Sequence, residues 1–206
     1  MQIYNVPTYF VLASQSPRRR ELLERMGITE FEVLPARGEE VIDPALPPAE
    51  LVEALSRQKC MEVAALRPEA LVIAADTVVA IDGEILGKPH SEKEAFSMLT
   101  RLSGRTHQVY TGVTVWEDDC QITEHEVTQV RFRPLSGQEI YRYIATGEPM
   151  DKAGAYGIQG YGSLLVEGIS GDYYNVMGLP VCRLARILKQ YEIDLLEMAF
   201  EKELSK

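Results

Sequence analysis

A chain of 206 residues, 46% hydrophobic and 25% charged, suits one globular core or two lobes around a cleft, and excludes disordered, collagen-like and disulfide-framework classes. Its 31 acidic and 21 basic residues give a formal charge of −10, which opposes non-specific attraction to nucleic acid or an anionic membrane. An anionic small molecule can still bind where the few cations converge.

Met1 to Pro7 lacks a basic leader, and the apolar run Tyr9 to Ala13 is too short for a signal segment or a membrane span, so the expected location is the cytoplasm. Phe10 to Ala13 reads as a buried strand. Ser16-Pro17 then supplies a helix cap with proline at the first helical position, and Gly27 ends that helix. An acidic loop, Arg37 to Asp43, leads through Pro47-Pro48 into a second helix, whose Leu51, Val52, Leu55, Val63 and Leu66 recur near helical period. Leu71 to Ala75 is a continuous apolar run that delivers Asp76-Thr77 to a sheet edge, as in a central strand. Asp82-Gly83 marks a hairpin between Val78–Ile81 and Glu84–Leu86. Ser91 with Glu94, and Ser136 with Glu139, read as capping boxes for two more helices. Between them, His107 to Trp116 and Ile122 to Phe132 alternate as a long ribbon around Glu117-Asp118-Asp119. Gly154, Gly157, Gly160 and Gly162 mark a loop that brings backbone close to something. Leu164-Leu165-Val166, a Ser170-Gly171 turn, Tyr173 to Val176 and a helix from Pro180 complete an α/β pattern.

Chemistry-bearing residues punctuate this pattern. Ser14-Gln15-Ser16-Pro17-Arg18-Arg19 joins a strand end to a helix N-terminus, whose unpaired N–H groups and positive dipole end favour an anion. Arg18 and Arg19 oppose that dipole, which points either to an anionic ligand or to surface pairing with Glu21 and Glu24. Asp76 is either a structural acceptor or a functional base or metal ligand, and Glu39 and Glu40 add oxygen donors suited to Mg²⁺ or Mn²⁺. Lys88 follows a hairpin and a glycine; like Lys59 and Lys152 it is a weak signal alone. Asp151 to Gly160 combines charge, Tyr156 and Gln159 in a glycine-rich loop, either a tight turn or a nucleobase pocket in which Gln159 pairs with an imide edge. Cys60, Cys120 and Cys182 are odd in number and widely spaced, which fits reduced thiols rather than disulfides or zinc. His90, His107 and His125 have no ligand spacing, and the absence of G-x-S-x-G and Walker patterns disfavours serine hydrolases and P-loop enzymes.

Taken in order, Leu12-Ala13-Ser14-Gln15-Ser16-Pro17-Arg18-Arg19, Ala75-Asp76-Thr77, Gly87-Lys88-Pro89, Leu102-Ser103-Gly104, Asp151 to Gly160 and Asn175-Val176-Met177-Gly178-Leu179-Pro180 resemble the Maf family of nucleotide pyrophosphatases. The resemblance spans nearly the whole chain. It implies a single α/β domain related to the inosine triphosphate pyrophosphatases, with a mixed sheet, two lobes around a central cleft, a divalent metal cofactor and often a homodimer. By position Asp76 matches the proposed catalytic base and Glu40 another active-site position; the mechanism expected from these residues has Glu40 and Asp76 hold Mg²⁺ or Mn²⁺. Arg18, Thr77 and Gln159 match positions linked to substrate choice. Arg19, Lys59, Lys88 and Asp151 match other active-site positions and, with Ser14 and Ser16 of the serine-rich turn, are the expected substrate-binding residues. Tyr156-Gly157-Ile158-Gln159-Gly160 is similar to the dTTP- and UTP-cleaving subfamily rather than the 7-methyl-GTP one; a non-catalytic nucleotide-binding regulator of cell division is the alternative from another class. Cys60 departs from the family, where alanine is common.

Overall fold

A seven-stranded mixed sheet organises the computed structural model, which describes residues 9–40 and 45–204. Met1 to Pro7, and Val41, Ile42 and Asp43 of the acidic loop, lie outside the described residues. The order of elements is β1 (Phe10–Leu12), α1 (Pro17–Arg25), β2 (Phe31–Val33), α2 (Pro48–Leu66), β3 (Leu71–Ile81), β4 (Glu84–Leu86), α3 (Glu92–Leu102), β5 (Thr106–Glu117) and β6 (Cys120–Phe132). Then come α4 (Gly137–Ile144), short 3₁₀ turns at Glu148–Asp151, Ala153–Ala155 and Tyr161–Leu164, β7 (Val166–Ser170), α5 (Tyr173–Met177), α6 (Val181–Gln190) and α7 (Leu195–Leu204). Strands follow the order β2-β1-β3-β5-β6-β7, with β1 parallel to both neighbours and the remaining pairs antiparallel.

Strand β3 creates the functional geometry. One edge pairs with β5 from Val72 to Ala80, while the other pairs with β1 over Leu71–Ile73 and with β4 over Val79–Ile81. Among the described residues, 74–78 therefore have no strand partner on that second edge, and the candidate site forms around this notch in the sheet. Asp76-Thr77 does not end a strand, as its sequence suggested; Val78 to Ile81 carry the β-branched alternation onward, so the two polar residues lie mid-strand.

Side chains alternate across β3. Val72 and Ala74 pack with Cys60, Val63 and Ala64 of α2, and Val78 packs with Leu51, Val52 and Leu55 of the same helix. Ile73 and Ala75 face the opposite layer, with Leu22 and Leu23 of α1 and Leu184, Ile187 and Leu188 of α6. A further cluster fills the space between the β4 end of the sheet, α3, α4 and the glycine-rich loop. Cys60 is fully buried, its thiol donating to the Val72 carbonyl at 3.6 Å, and burial pushes its pKa up to about 12, so the cysteine serves helix packing.

Several local details differ from the sequence pattern. Ser91 caps α3, but Glu94 bonds the backbone N–H of His90 rather than that of Ser91, so the box is half formed; the Ser136–Glu139 box is complete. Tyr173 to Met177 is a short helix capped by Asp172, and the preceding strand starts at Val166. Leu66, the last residue of α2, is exposed rather than part of the core stripe its spacing suggested. The helix α7 was not anticipated, although Asp194 caps it by accepting from the Leu196 and Glu197 N–H groups; Leu195 and Met198 pack inward while Leu196, Phe200 and Leu204 remain exposed. Among the described residues no helix is long and apolar enough to cross a membrane.

His107, on β5, is buried against the ring edges of Phe132 and Tyr156, and its Nε2 lies 2.8 Å from the Tyr156 hydroxyl. Burial lowers its pKa from 6.5 to about 4. Between those values the unfolded chain takes up a proton that the folded chain refuses, so stability falls as the pH drops through this window. At pH 5 this linkage costs about 2 kcal/mol relative to neutral pH. His107→Gln keeps a partner for Tyr156 and does not titrate, so its urea midpoint should fall less than that of the parent between pH 7 and pH 5. Equal falls in the two proteins would show that His107 contributes nothing to acid sensitivity.

Candidate active site

The N-terminus of α1 supplies the first wall of the notch. Ser16 caps the helix by accepting from the Arg19 N–H at 3.4 Å, and the Ser14 hydroxyl accepts from the Ser16 N–H at 3.2 Å. These two serines thus fix the turn after β1. The surface-pairing alternative for the arginines does not hold, because Glu24 is taken by Arg20 and Glu21 by Arg25. Arg18 reaches Asp151 instead, at 3.6 Å. With Asp151 largely exposed, that pair is a weak tether.

Arg19 turns inward. Its Nε donates to the Gly178 carbonyl at 2.7 Å, Nη1 to Ser14 Oγ at 3.1 Å and Nη2 to Thr77 Oγ1 at 3.0 Å. A guanidinium has five N–H donors, so three engaged leave two, one on each terminal nitrogen, for a ligand such as a phosphate. Burial lowers the Arg19 pKa and the nearby Asp76 charge supports its cationic form, so the side chain stays charged.

Thr77 is committed to this arginine by a chain of hydroxyls. Thr111 Oγ1 donates to the Asn175 carbonyl at 3.0 Å, so its one proton is used; across the 3.0 Å contact Thr77 must then donate to Thr111. That leaves the Thr77 oxygen as the acceptor that Arg19 requires. Asn175 is itself buried, its amide donating to the Val109 carbonyl and to Thr128 Oγ1. Thr111 carried no signal in the sequence, since buried threonines are ordinary in strands, and Gly178 stood in a motif that gave no hint of its carbonyl's partner.

The opposite face of β3 builds the second wall. Asp76 pairs across the ladder with Gly112 of β5, and a side chain at Gly112 would fall 2.2 Å from the Val52 carbonyl oxygen. The glycine lets α2 press close to the sheet beside Asp76, which brings Lys59 within reach. The Lys59 ammonium bridges Asp76 Oδ1 and Glu40 Oε1, the latter at 2.8 Å. Glu40 is placed by α2 as well: Glu62 accepts from the backbone N–H groups of Arg37 and Gly38, and Gln58 donates to the Glu39 carbonyl. Glu39 contributes that backbone oxygen, while Arg57 points to solvent. Burial works against the charged form of Glu40, yet the hydrogen bond from Lys59 and the charges of Lys59, Lys88 and Arg19 hold its pKa below the usual carboxylate range.

One notch therefore collects Ser14, Arg18, Arg19, Glu40, Lys59, Asp76, Thr77 and Asp151, with the exposed Lys88 within electrostatic reach of Glu40. Gln159 makes no polar contact with this group; its neighbour Ile158 is packed in the core cluster that holds Leu12 and Leu22. The Gln159 side chain has no hydrogen bond to the described residues and is half-buried. Cations and carboxylates converging at a helix N-terminus can hold a polyphosphate and deprotonate a water beside it. A separate open depression of about 350 Å³ beside β7 is lined by Ile158, Val166, Ile169 and Tyr173, with no basic residue in its lining to hold a phosphate; its one charged lining residue, Glu167, is paired with Arg131 at 2.9 Å.

A family model described as Maf-like protein matches residues 9–191. The dTTP/UTP pyrophosphatase of Bacillus velezensis is 53% identical over 183 residues, covering 89% of this chain and 96% of its own length. The dTTP/UTP pyrophosphatase of Symbiobacterium thermophilum is 52% identical over 181 residues, covering 88% of this chain and 93% of its own. A HAM1 protein structure from Coxiella burnetii aligns at a TM-score of 0.44 and 16% identity, covering 60% of this chain and 72% of that one.

Proposed function

Because the chain belongs to the Maf family, we propose that it is a nucleotide pyrophosphatase that hydrolyses dTTP and UTP to the monophosphate and pyrophosphate. The observation that carries this reading is the notch itself: in a chain of net charge −10, Arg18, Arg19, Lys59 and Lys88 gather around Asp76 and Glu40. Such a field attracts a triphosphate against the charge of the whole molecule.

Glu40 and Asp76 are the residues that would hold a divalent metal ion. Their carboxylates converge on one ammonium group, and an all-oxygen donor set suits Mg²⁺ or Mn²⁺, which leave positions for phosphate oxygens. When bound, such an ion neutralises phosphate charge as the anhydride is cleaved. The protein's own groups do the rest. Asp76 Oδ1 is held by Lys59, while Oδ2 has no hydrogen bond from the described residues and is the oxygen offered to an attacking water. As the water oxygen bonds to a phosphorus of the α–β linkage, its proton passes to Asp76 and the bridging P–O bond breaks. The two uncommitted N–H groups of Arg19, with Arg18, Lys59 and Lys88, take up the charge that develops on departing pyrophosphate. Gln159 reads the pyrimidine edge. The free thiols of Cys60, Cys120 and Cys182 suit the reducing compartment in which triphosphates are held, so the proposed place of action is the cytoplasm.

A panel of nucleoside triphosphates incubated with the purified protein and Mg²⁺ or Mn²⁺ tests this. Equal amounts of monophosphate and pyrophosphate are expected, fastest from dTTP and UTP. Binding without cleavage would make the protein a nucleotide sensor, and faster turnover of 7-methyl-GTP would overturn the pyrimidine assignment.

A further inference from the structure

The glycine-rich loop that carries Gln159 is wrapped around one carboxylate. Glu148 Oε2 accepts from the Tyr161 N–H at 2.8 Å, and Oε1 accepts from the Gly162 N–H and the Tyr143 hydroxyl, both at 2.9 Å. The Tyr143 hydroxyl in turn accepts from the Gly157 N–H at 3.2 Å. The loop is therefore pinned on both sides of Gln159, at Gly157 before it and at Tyr161 and Gly162 after it.

The glycines are what this arrangement demands. A Cβ at Gly160, where φ is +50°, would lie 2.5 Å from Glu148 Oε2, and one at Gly162 would lie 2.1 Å from the Gly157 carbonyl oxygen. A Cβ at Gly157 would collide with the Lys152 side chain, whose ammonium donates to the Glu148 carbonyl at 2.6 Å. The loop closes this tightly because a carboxylate stands where its amides point, as an anion stands in a nest of backbone N–H groups. Glu148 itself contacts none of Asp76, Lys59, Arg19 or Glu40, and the chemistry described above does not use it.

We propose that Glu148, with Tyr143 relaying to Gly157, is the positioning residue of the base-reading loop, fixing Gln159 so that the site selects pyrimidine triphosphates. This rests on the reading that Gln159 recognises the base. Glu148→Gln replaces an acceptor oxygen by an amide that faces N–H donors, so one side of the loop loses its anchor. Tyr143→Phe keeps the ring in its core cluster and removes only the hydroxyl between Gly157 and Glu148.

The test measures kcat/KM for dTTP and GTP in the parent and in Glu148→Gln, Tyr143→Phe and Gln159→Ala, with thermal melts as a fold control and inhibition by inorganic pyrophosphate alongside. Glu148→Gln should lower the dTTP-over-GTP ratio about tenfold, mainly by raising KM for dTTP, and Tyr143→Phe should lower it by a smaller factor in the same direction. Pyrophosphate has no base, so its inhibition should stay within about twofold of the parent, a result that general loosening of the site would not give. If Glu148→Gln fails to fold, Tyr143→Phe decides. A ratio lowered by Gln159→Ala but unchanged in the anchor variants would overturn the positioning role alone, whereas a ratio unchanged in Gln159→Ala would overturn base reading and positioning together.

Discussion

Asp76→Asn is expected to cut turnover of dTTP by about 10²–10⁴-fold while leaving the protein folded, the loss expected when a positioned general base is removed. An amide has nearly the shape of the carboxylate and can still accept from Lys59, but it cannot take a proton from water. The strand that carries it does not depend on the side chain, because β3 is held by its ladder with β5 from Val72 to Ala80 and by its packing on both faces. Removing one partner of a buried ion pair ordinarily destabilises by about 3–5 kcal/mol, but Lys59 retains Glu40 at 2.8 Å as counter-charge, so the cost here should be far smaller. Pyrophosphate release with saturating Mg²⁺, together with the urea midpoint, checks both parts. A folded variant that keeps more than about a tenth of parental turnover would remove Asp76 as the base.

The second large effect is expected at Arg19. Lysine preserves the charge and loses the fork: one ammonium cannot reach Gly178, Ser14 and Thr77 and still present two parallel donors to a phosphate. With each charge-assisted hydrogen bond worth roughly 1.5–3 kcal/mol, losing two directed at the ligand predicts a fall in kcat/KM of about 10²–10⁴-fold. If the fork serves the leaving group, most of that loss falls on kcat; if it only binds ground-state phosphate, KM carries it. Arg18→Lys is the built-in comparison, because among the described residues Arg18 is tied only to the exposed Asp151, 3.6 Å away, and should lose much less. Equal losses at the two positions would show that the inward network around Arg19 has no special part in catalysis.

The local signals that survived in the structure were those governed by a few adjacent residues. Ser16-Pro17 did begin α1, Asp82-Gly83 did make a two-residue turn with positive φ, and Ser136 with Glu139 did close a capping box, while the turn expected over Glu117-Asp118-Asp119 is tighter, Asp118 and Asp119 alone joining β5 to β6. What failed was decided at longer range. Tyr173 to Val176 has the aromatic and β-branched content of a strand, yet the Asp172 cap and the burial of Asn175 settle it as helix. In the site, charged residues in polar motifs were legible because their chemistry is uncommon in those positions. The hydroxyl chain from Thr77 to Asn175 was not, because only the pairing of β3 with β5 places Thr77 opposite Thr111. Glu148 was invisible for a similar reason: its acid lies thirteen residues from the Tyr161 amide it binds, and neither local residue suggests the other.

Asp76 and Thr77 are neighbours in the chain, yet they serve opposite layers, the acid meeting the ammonium of α2 and the hydroxyl meeting the guanidinium of α1. A single insertion or deletion between Leu71 and Asp76 would turn each side chain to the other face of the sheet, the carboxylate to the α1 layer and the hydroxyl to the α2 layer, and part the acid from Lys59. Point changes in the apolar half of β3 can be absorbed by repacking, but a change of length cannot, so the register of this strand and the proposed reaction stand or fall together.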